Sequence, residues 1–351
     1  MRKKTIVSIV FIFSILSICT LGFLTEKYFF NQGIQNDEAI QSSDPPISQK
    51  ILNPLTGLEL KSSKNSVRPI AVMINNSKAA QPLLGVSKSD IMYEIPVEGG
   101  ITRIMAIFQD PLDVSRIGSV RSARSYYINI ANGHDAIYAH IGGSFEADAM
   151  MKGGAIDHFN IGNHDNLMWR DEYRKKNFGY EHSAVTSGKR LIDAIKINGT
   201  RYKIDEKKTM FQIFDEDSQI LEGLPANEIE VKFSGYKSTT FTYDSGSENY
   251  LVSQFDGKQF DGEYNSQIER ENILILKTKI SSMNSKGLKA VELKSGQGFY
   301  MSAGKMIEIE WKKDSKEAPF KYKVKNGGNL IMLPGKSYIC VVPNDTDISV
   351  S

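Results

Sequence analysis

The stretch SRIGSVRSARSYY, residues 115–127, marks the point where a predicted strand gives way to a predicted helix, and it decides how the first half of the chain is expected to fold. It places three arginines among small hydroxyl residues. A helix start carries partial positive charge and free N–H groups, so arginines there are unfavourable unless an anion binds beside them. If the helix begins near Ser119, Arg121 and Arg124 leave the same face, and their planar guanidinium groups suit phosphate. The stretch therefore predicts an anion site.

The residues around this stretch mix strand and helix patterns. Short apolar runs predict strands at residues 70–74, 91–97, 101–108 and 136–141, the middle two flanking the turn EGG (98–100) as a hairpin. Apolar residues at helical spacing predict helices at residues 121–132, at 145–151 with Ser144 as N-cap, and at 183–197. Residues 53–198 are therefore predicted to form an α/β layered domain.

After residue 199 the pattern changes to strands separated by Gly, Asn and Asp turns. Apolar or alternating runs predict strands at residues 211–214, 229–233, 239–243, 250–255, 273–278, 290–293, 306–311, 320–324 and 329–342. We expect Cys340, inside the last of these runs, to be a packed and inert thiol. The fold class is therefore α+β, in which an α/β domain is followed by a β-rich domain at residues 199–351.

The N-terminus has the pattern of a membrane-targeting segment. The cluster RKK (2–4) precedes an apolar run over residues 5–24, about long enough to cross a bilayer, and the positive-inside rule sends the rest of the chain outward. Residues 1–25 are either an uncleaved signal anchor or a lipoprotein signal with lipidation at Cys19, although Ile18 stands where a lipobox has a small residue. Residues 26–52 are polar and predict a flexible linker.

Composition limits the classes of function. The 351 residues carry a formal net charge of only +2, which argues against nucleic acid as a partner and makes any anion binding local. Two cysteines, one of them in the N-terminal segment, exclude a disulfide within the exported part.

Further candidate residues surround the arginine stretch. All five histidines fall between residues 134 and 182, and His140 precedes Gly142-Gly143-Ser144, at the kind of strand end where α/β sheets place ligand loops. No Gly-x-Ser-x-Gly motif of a serine hydrolase is present, which favours helix capping for Ser144. The candidate ligand-binding residues are Arg103, Arg116, Arg121, Arg124, His140, Ser144 and Arg170, and the acidic candidates for a divalent cation such as Mg²⁺ are Asp110, Asp157 and Asp171.

The chain resembles the YerB-like lipoproteins of Gram-positive bacteria. The resemblance rests on RPIAVMINN (68–76), DIMYE (90–94), EGGITR (98–103), HIGGS (140–144) and the arginine stretch, and it extends over residues 53–343. It implies an envelope location and no particular reaction.

A more distant, topological similarity links the order of strand, arginine turn, helix and Gly-Gly strand to the LytR–CpsA–Psr phosphotransferases. That similarity implies a lipid-linked pyrophosphate as ligand and magnesium as cofactor. The Arg-Asp pair of those enzymes falls on Arg121-Ser122 here, so the acidic partner is missing.

Two hypotheses of different class follow. In the first, a membrane-tethered extracytoplasmic protein binds an anionic, phosphate-bearing cell-wall or lipid-carrier ligand, with phosphoryl-transfer or phosphodiester chemistry if it is an enzyme. In the second, it is a non-enzymatic envelope scaffold that recruits a protein partner, and its arginines are structural because they pair with carboxylates such as Glu94 and Glu98.

Overall fold

The computed structural model describes residues 51–60, 67–164, 166–205, 213–215, 223–285 and 287–351, all within one compact unit. The predicted anchor at residues 1–25, Cys19 and nearly all of the predicted linker lie outside this part of the chain. Within the described ranges no helix has the length and apolarity needed to cross a membrane.

The described residues up to 205 combine strands and helices. Their strands are β1 (Ile70–Asn76), β2 (Ile91–Pro96), β3 (Thr102–Phe108), β4 (Ile117–Gly118), β5 (Ile137–His140), β6 (His158–Asn160), β7 (Trp169–Arg170) and β8 (Ala184–Thr186). Their helices are α1 (Ser125–Gly133), α2 (Phe145–Lys152), α3 (Glu172–Asn177) and α4 (Gly188–Ile197), with 3-10 turns at Lys78–Ala80, Val86–Lys88, Glu98–Gly100, Ile161–Asn163 and Tyr180–His182. The four predicted strands and the hairpin between β2 and β3 are confirmed.

The remainder of the described chain is built from strands, as predicted. They are β9 (Ile213–Phe214), β10 (Leu224–Pro225), β11 (Glu228–Ser234), β12 (Lys237–Asp244), β13 (Asn249–Gln254), β14 (Gly257–Lys258), β15 (Phe260–Asp261), β16 (Ser266–Gln267), β17 (Glu269–Arg270), β18 (Asn272–Thr278), β19 (Ile280–Ser282), β20 (Lys289–Val291), β21 (Ser295–Ser302), β22 (Lys305–Lys313), β23 (Phe320–Val324), β24 (Ile331–Met332), β25 (Ser337–Pro343) and β26 (Ile348–Val350). Part of the predicted strand at 211–214 lies outside the described residues.

One mixed sheet draws strands from both halves of the chain. Its order is β10-β22-β21-β18-β25-β2-β3-β1-β5-β6, with β23 paired to β22. The halves meet where β2 pairs with β25 in parallel, so that Glu94 lies opposite Cys340. Cys340 is fully buried in this strand, as predicted.

The two faces of the mixed sheet are covered by different layers. Alternating side chains of a strand point to opposite faces, which gives each face its own apolar core. On one face, residues such as Ile104 pack with the second sheet, β14-β13-β12-β11-β26, and with α4. On the other face, residues such as Met73 and Tyr138 pack with α1 and α2.

Two parallel strands of the first half end at the same edge of the mixed sheet. β1 and β5 run parallel and end at Asn76 and His140, beside the starts of α1 and α2. Ala123 and Gly143 form a parallel bridge there, and the Ser144 N–H donates to the Ala123 carbonyl. We call this region the carboxyl edge of the sheet.

Two helix predictions are wrong at their starts. The helix predicted near Ser119 begins at Ser125, because the preceding segment is extended and uses its N–H groups elsewhere: Val120 donates to Ala184 and Arg121 to Met73. Arg121 and Arg124 therefore do not share a helical face. The helix predicted at 183–197 is the strand β8 followed by α4, whose first turn is capped by the Ser187 hydroxyl.

Candidate functional site

Three of the predicted arginines come together at the carboxyl edge. Arg103 lies near the start of β3, directly opposite Asn75 of β1, and its Nη1 donates to the carbonyl of Ser122 at 2.5 Å. Arg121 and Arg124 belong to the extended segment before α1. We call Arg103, Arg121 and Arg124 the arginine site.

Arg124 is fully paired. Its Nε and Nη2 each donate to a carboxylate oxygen of Glu98 at 2.7 Å, a bidentate arrangement. Burial opposes ionisation of Glu98, but the hydrogen bonds from Arg124 outweigh it and lower the pKa of this carboxyl group. Glu98 begins a turn in which Gly99 and Gly100 have φ of +71° and +69°, a conformation that favours glycine.

Arg121 is paired more weakly. Its Nη2 lies 3.3 Å from a carboxylate oxygen of Glu181, and its Nη1 donates to the Glu181 carbonyl at 3.2 Å. The Glu181 side chain is 65% exposed, so this pair contributes less than about 1 kcal/mol to the free energy of unfolding, as is typical of surface ion pairs.

Arg103 is the exception. Only 9% of its surface is exposed, and among the described residues no carboxylate lies within ion-pair distance of its guanidinium group. Burial, together with the neighbouring positive charge of Arg124, lowers the pKa of Arg103 to about 10. The Glu98 carboxylate opposes this shift from a distance, but a buried cation with no carboxylate in direct contact among the described residues is unfavourable, so this position favours an added anion.

A neutral histidine, His182, lies beside the arginine site and contacts Asn75. The Asn75 Oδ1 accepts from the Ser77 N–H at 3.1 Å, which turns the Asn75 amide nitrogen toward His182 Nδ1 at 2.9 Å. His182 Nδ1 is therefore an acceptor, and the ring carries its proton on Nε2. Burial lowers the pKa of His182, which keeps the ring neutral at pH 7.

Arg116 and Arg170 lie in other contacts. Arg116 donates to Asp171 at 2.9 Å and also bonds Glu263, so it ties the first half of the chain to the second. The Arg170 guanidinium lies 3.9 Å from the centre of the Tyr180 ring and donates to the Tyr180 carbonyl. The Ser144 hydroxyl caps α2 by accepting from the Ala147 N–H.

His140 is buried and forms a hydrogen bond with another histidine, His158. It is 1% exposed, its Nδ1 lies 2.8 Å from the Gly142 carbonyl, and its Nε2 lies 3.0 Å from His158 Nδ1. Burial lowers the pKa of His140 to about 4, so the ring is neutral. Because a carbonyl can only accept, His140 carries its proton on Nδ1 and accepts from His158, which leaves the lone pair of His158 on Nε2. No residue spacing in the sequence signals this pair, because the pairing of β5 with β6 brings it together.

The acidic candidates have separate structural partners. Asp157 pairs with Arg68 at 2.5 Å, Asp171 caps α3 and pairs with Arg116, and Asp110 accepts from the Leu112 N–H. Across the described ranges, no group of three or more His, Cys, Asp and Glu side chains is arranged to hold a metal ion. Magnesium binding stays a prediction without a defined set of ligands.

A buried polar cluster joins the two halves of the chain. It corrects the expectation for Glu94, whose partner is a lysine of the second half rather than an arginine. The carboxylate of Glu94 and the ammonium of Lys237 are fully buried and 2.9 Å apart. Thr102 and Tyr338 donate to the same carboxylate at 2.6 and 2.7 Å. The carboxylate is satisfied entirely by protein donors, so we assign the cluster to stability rather than to ligand binding.

These features define a class of protein in which two sequence regions share one mixed sheet and the first region carries an arginine-lined edge. Residues 55–201 match the N-terminal domain of a family described as protein of unknown function (DUF3048), and residues 229–339 match its C-terminal domain. The chain belongs to this family.

Comparison with individual proteins supports the same family membership. The chain is 31% identical over 345 residues to "Putative lipoprotein YerB" of Bacillus subtilis (strain 168), an alignment that covers 96% of this chain and 97% of the relative. The crystal structure of YerB protein from Bacillus subtilis matches with a TM-score of 0.75 and 30% identity, and the match covers 86% of this chain and 100% of that one. The predicted resemblance to YerB-like proteins is confirmed.

Proposed function

We propose that this protein binds an anionic group of a cell-envelope ligand at the arginine site. The observation that carries the proposal is Arg103, a buried guanidinium group whose protein partner in the described chain is a carbonyl rather than a carboxylate. The location adds support, because ligands of α/β sheets bind outside the carboxyl ends of the strands. Arg121 and Arg124 stand beside Arg103, each with a carboxylate partner, so the net positive charge of the site is that of Arg103.

The proposed location is the extracytoplasmic side of the membrane. The relative's name describes a lipoprotein, and residues 1–25 of this chain carry the pattern of an exported segment. Tethering by an uncleaved anchor or by a lipid on Cys19 leads to the same placement. Ligands that fit are phosphate-bearing or carboxylate-bearing components of the cell wall or of lipid carriers. Phosphoryl or phosphodiester chemistry is an extension of this proposal, for which His158, in contact with His140, is a candidate base through Nε2.

The scaffold hypothesis receives support from different residues. Arg116 and Arg124 are each held by carboxylates, as expected of structural arginines. We therefore assign the ion pairs of Arg116 to bracing of the fold and the ligand to Arg103.

The test is a thermal-shift titration of the full chain in detergent with inorganic phosphate, with Arg103→Met and Arg190→Met compared. Arg190 is the matched control, because it also donates to backbone carbonyls but lies on α4. We expect phosphate to raise the melting temperature of the wild type and of Arg190→Met, and not that of Arg103→Met. Since Arg103→Met removes a buried unpaired cation, its own melting temperature should not fall. A destabilised Arg103→Met, together with a wild type indifferent to anions, would make Arg103 structural.

A further inference from the structure

The arginine site is balanced in charge except for one guanidinium group. We infer that its ligand presents a singly charged oxyanion, as in a phosphodiester or a carboxylate, in preference to the dianion of a phosphate monoester. This inference rests on the proposed function and specifies the class of ligand.

The charge count follows from the ion pairs. Arg124 has both of its fork donors on Glu98, and Arg121 has Glu181 within 3.3 Å. These two pairs are neutral as units. The remaining charge at the site is the single positive charge of Arg103, 91% buried, and it has no carboxylate partner in the described ranges.

The neighbouring polar groups add donors without adding charge. His182 is neutral, because its Nδ1 accepts from the Asn75 amide, and its protonated Nε2 lies 3.5 Å from Glu181. Ser122 contributes a hydroxyl beside Gly142, where a Cβ on the glycine would lie 3.7 Å from that oxygen. Both groups are neutral, so they cannot neutralise a second negative charge.

The orientation of Arg103 defines how the anion approaches. Its Nη1 is committed to the Ser122 carbonyl. The opposite edge of the guanidinium group, formed by Nε and Nη2, has no acceptor among the described residues and presents two parallel N–H donors. This edge matches the two oxygens of a carboxylate or the two non-ester oxygens of a phosphodiester.

A dianion would meet unfavourable charges at the same place. After one negative charge is balanced by Arg103, a second faces Glu98 and Glu181 with no free cation in the described site. Neutralising it requires an arginine to leave its carboxylate. Arg121 would have to give up its weaker pair with Glu181, or Arg124 its partly buried bidentate pair with Glu98. The monoanion therefore binds at lower cost.

The experiment compares matched probes by calorimetric titration of the full chain in detergent. At pH 7.5 dimethyl phosphate is a monoanion and methyl phosphate is largely a dianion, whereas at pH 5 methyl phosphate is a monoanion as well. We expect dimethyl phosphate to bind about tenfold more tightly than methyl phosphate at pH 7.5, and the two to bind equally at pH 5, where the difference in charge has gone. Acetate is a third arm: binding as tight as dimethyl phosphate indicates a carboxylate ligand, and weaker binding indicates a phosphodiester.

The variant Glu98→Gln supplies the decisive control. It frees the charge of Arg124 and leaves two uncompensated cations, so the preference at pH 7.5 should reverse toward methyl phosphate. Arg103→Met should bind none of the probes. Tighter binding of methyl phosphate by the wild type at pH 7.5, or no change of preference in Glu98→Gln, would overturn this inference and leave the proposed function standing. Failure of every probe to bind the wild type would overturn both.

Discussion

At the scale of single residues, the carboxyl edge separates arginines that look alike in sequence. Arg124 and Arg116 are held by carboxylates, whereas Arg103 is buried against a carbonyl. The sequence predicted an arginine-rich edge, because three arginines fall within ten residues. It could not rank them, because their partners Glu98 and Glu263 come from distant parts of the chain and meet them only after folding.

Buried neutral histidines predict how stability depends on pH. Burial lowers the pKa of His134 to about 3 and that of His140 to about 4, below the ordinary value near 6.5. As the pH falls below 6.5, these two histidines become protonated in the unfolded chain but stay neutral in the folded chain. The folded state therefore loses stability between pH 6.5 and 4. Each group contributes a slope of about 1.4 kcal/mol per pH unit within that window.

Urea unfolding at pH 7.5, 6 and 5 measures this dependence. We expect His140→Asn to reduce the slope between pH 6 and 5, and the exposed His164→Asn to leave it unchanged. An equal slope in wild type and His140→Asn would show that His140 is not held neutral.

At the scale of elements, strands were predicted better than helix starts. β1, β2, β3 and β5 carry continuous apolar runs that any buried strand requires, so local sequence was sufficient. The start of α1 depends on a contact that local sequence does not contain, the hydrogen bond from Arg121 to Met73 of β1. β21 was missed because it contains Gly296 and Gly298. Glycine is required there, since a Cβ at either position would lie 2.2 or 2.1 Å from a carbonyl oxygen of β18.

Alanine substitutions at the two glycines of the turn at Glu98 are expected to lower the free energy of unfolding by different amounts. Gly99 and Gly100 both have positive φ, but a Cβ on Gly99 meets open space and a Cβ on Gly100 would lie 2.3 Å from the Tyr236 hydroxyl. Gly99→Ala should therefore lower the free energy of unfolding by about 1 kcal/mol through backbone strain alone. Gly100→Ala should lower it by roughly 1 kcal/mol more, because Tyr236 must also give up its hydrogen bond to Gly99. Chemical denaturation of both variants checks this order, and equal losses would contradict the described packing of Tyr236.

At the scale of the whole molecule, the two family regions are joined inside one sheet. The β2–β25 pairing and the Glu94–Lys237 pair cross between them. The predicted change from mixed to β-rich pattern is visible in the sequence. The joining of the two regions is not visible, because β2 and β25 are far apart in the sequence. A periodicity pattern covers only a short window and cannot show that these two strands pair.

The buried pair predicts strong coupling between its members. Lys237→Met leaves the Glu94 carboxylate buried without a cation and should lower the free energy of unfolding by about 3 to 5 kcal/mol. The double variant Glu94→Gln with Lys237→Met removes both charges and should be more stable than Lys237→Met alone. Denaturant unfolding of the two variants measures the difference. A double variant less stable than the single one would show that the hydrogen bonds of Glu94, and not its charge, hold the halves together.

Anion binding at Arg103 can be observed by following the arginine Nε–H resonances by NMR while dimethyl phosphate is added to the full chain in detergent. The Arg103 resonance is predicted to shift with saturation, because its Nε belongs to the open edge of the guanidinium group. The Arg116 resonance, fixed on Glu263, is the internal control and should stay in place. A stationary Arg103 signal, or equal small shifts of all arginines, would contradict an anion site at Arg103.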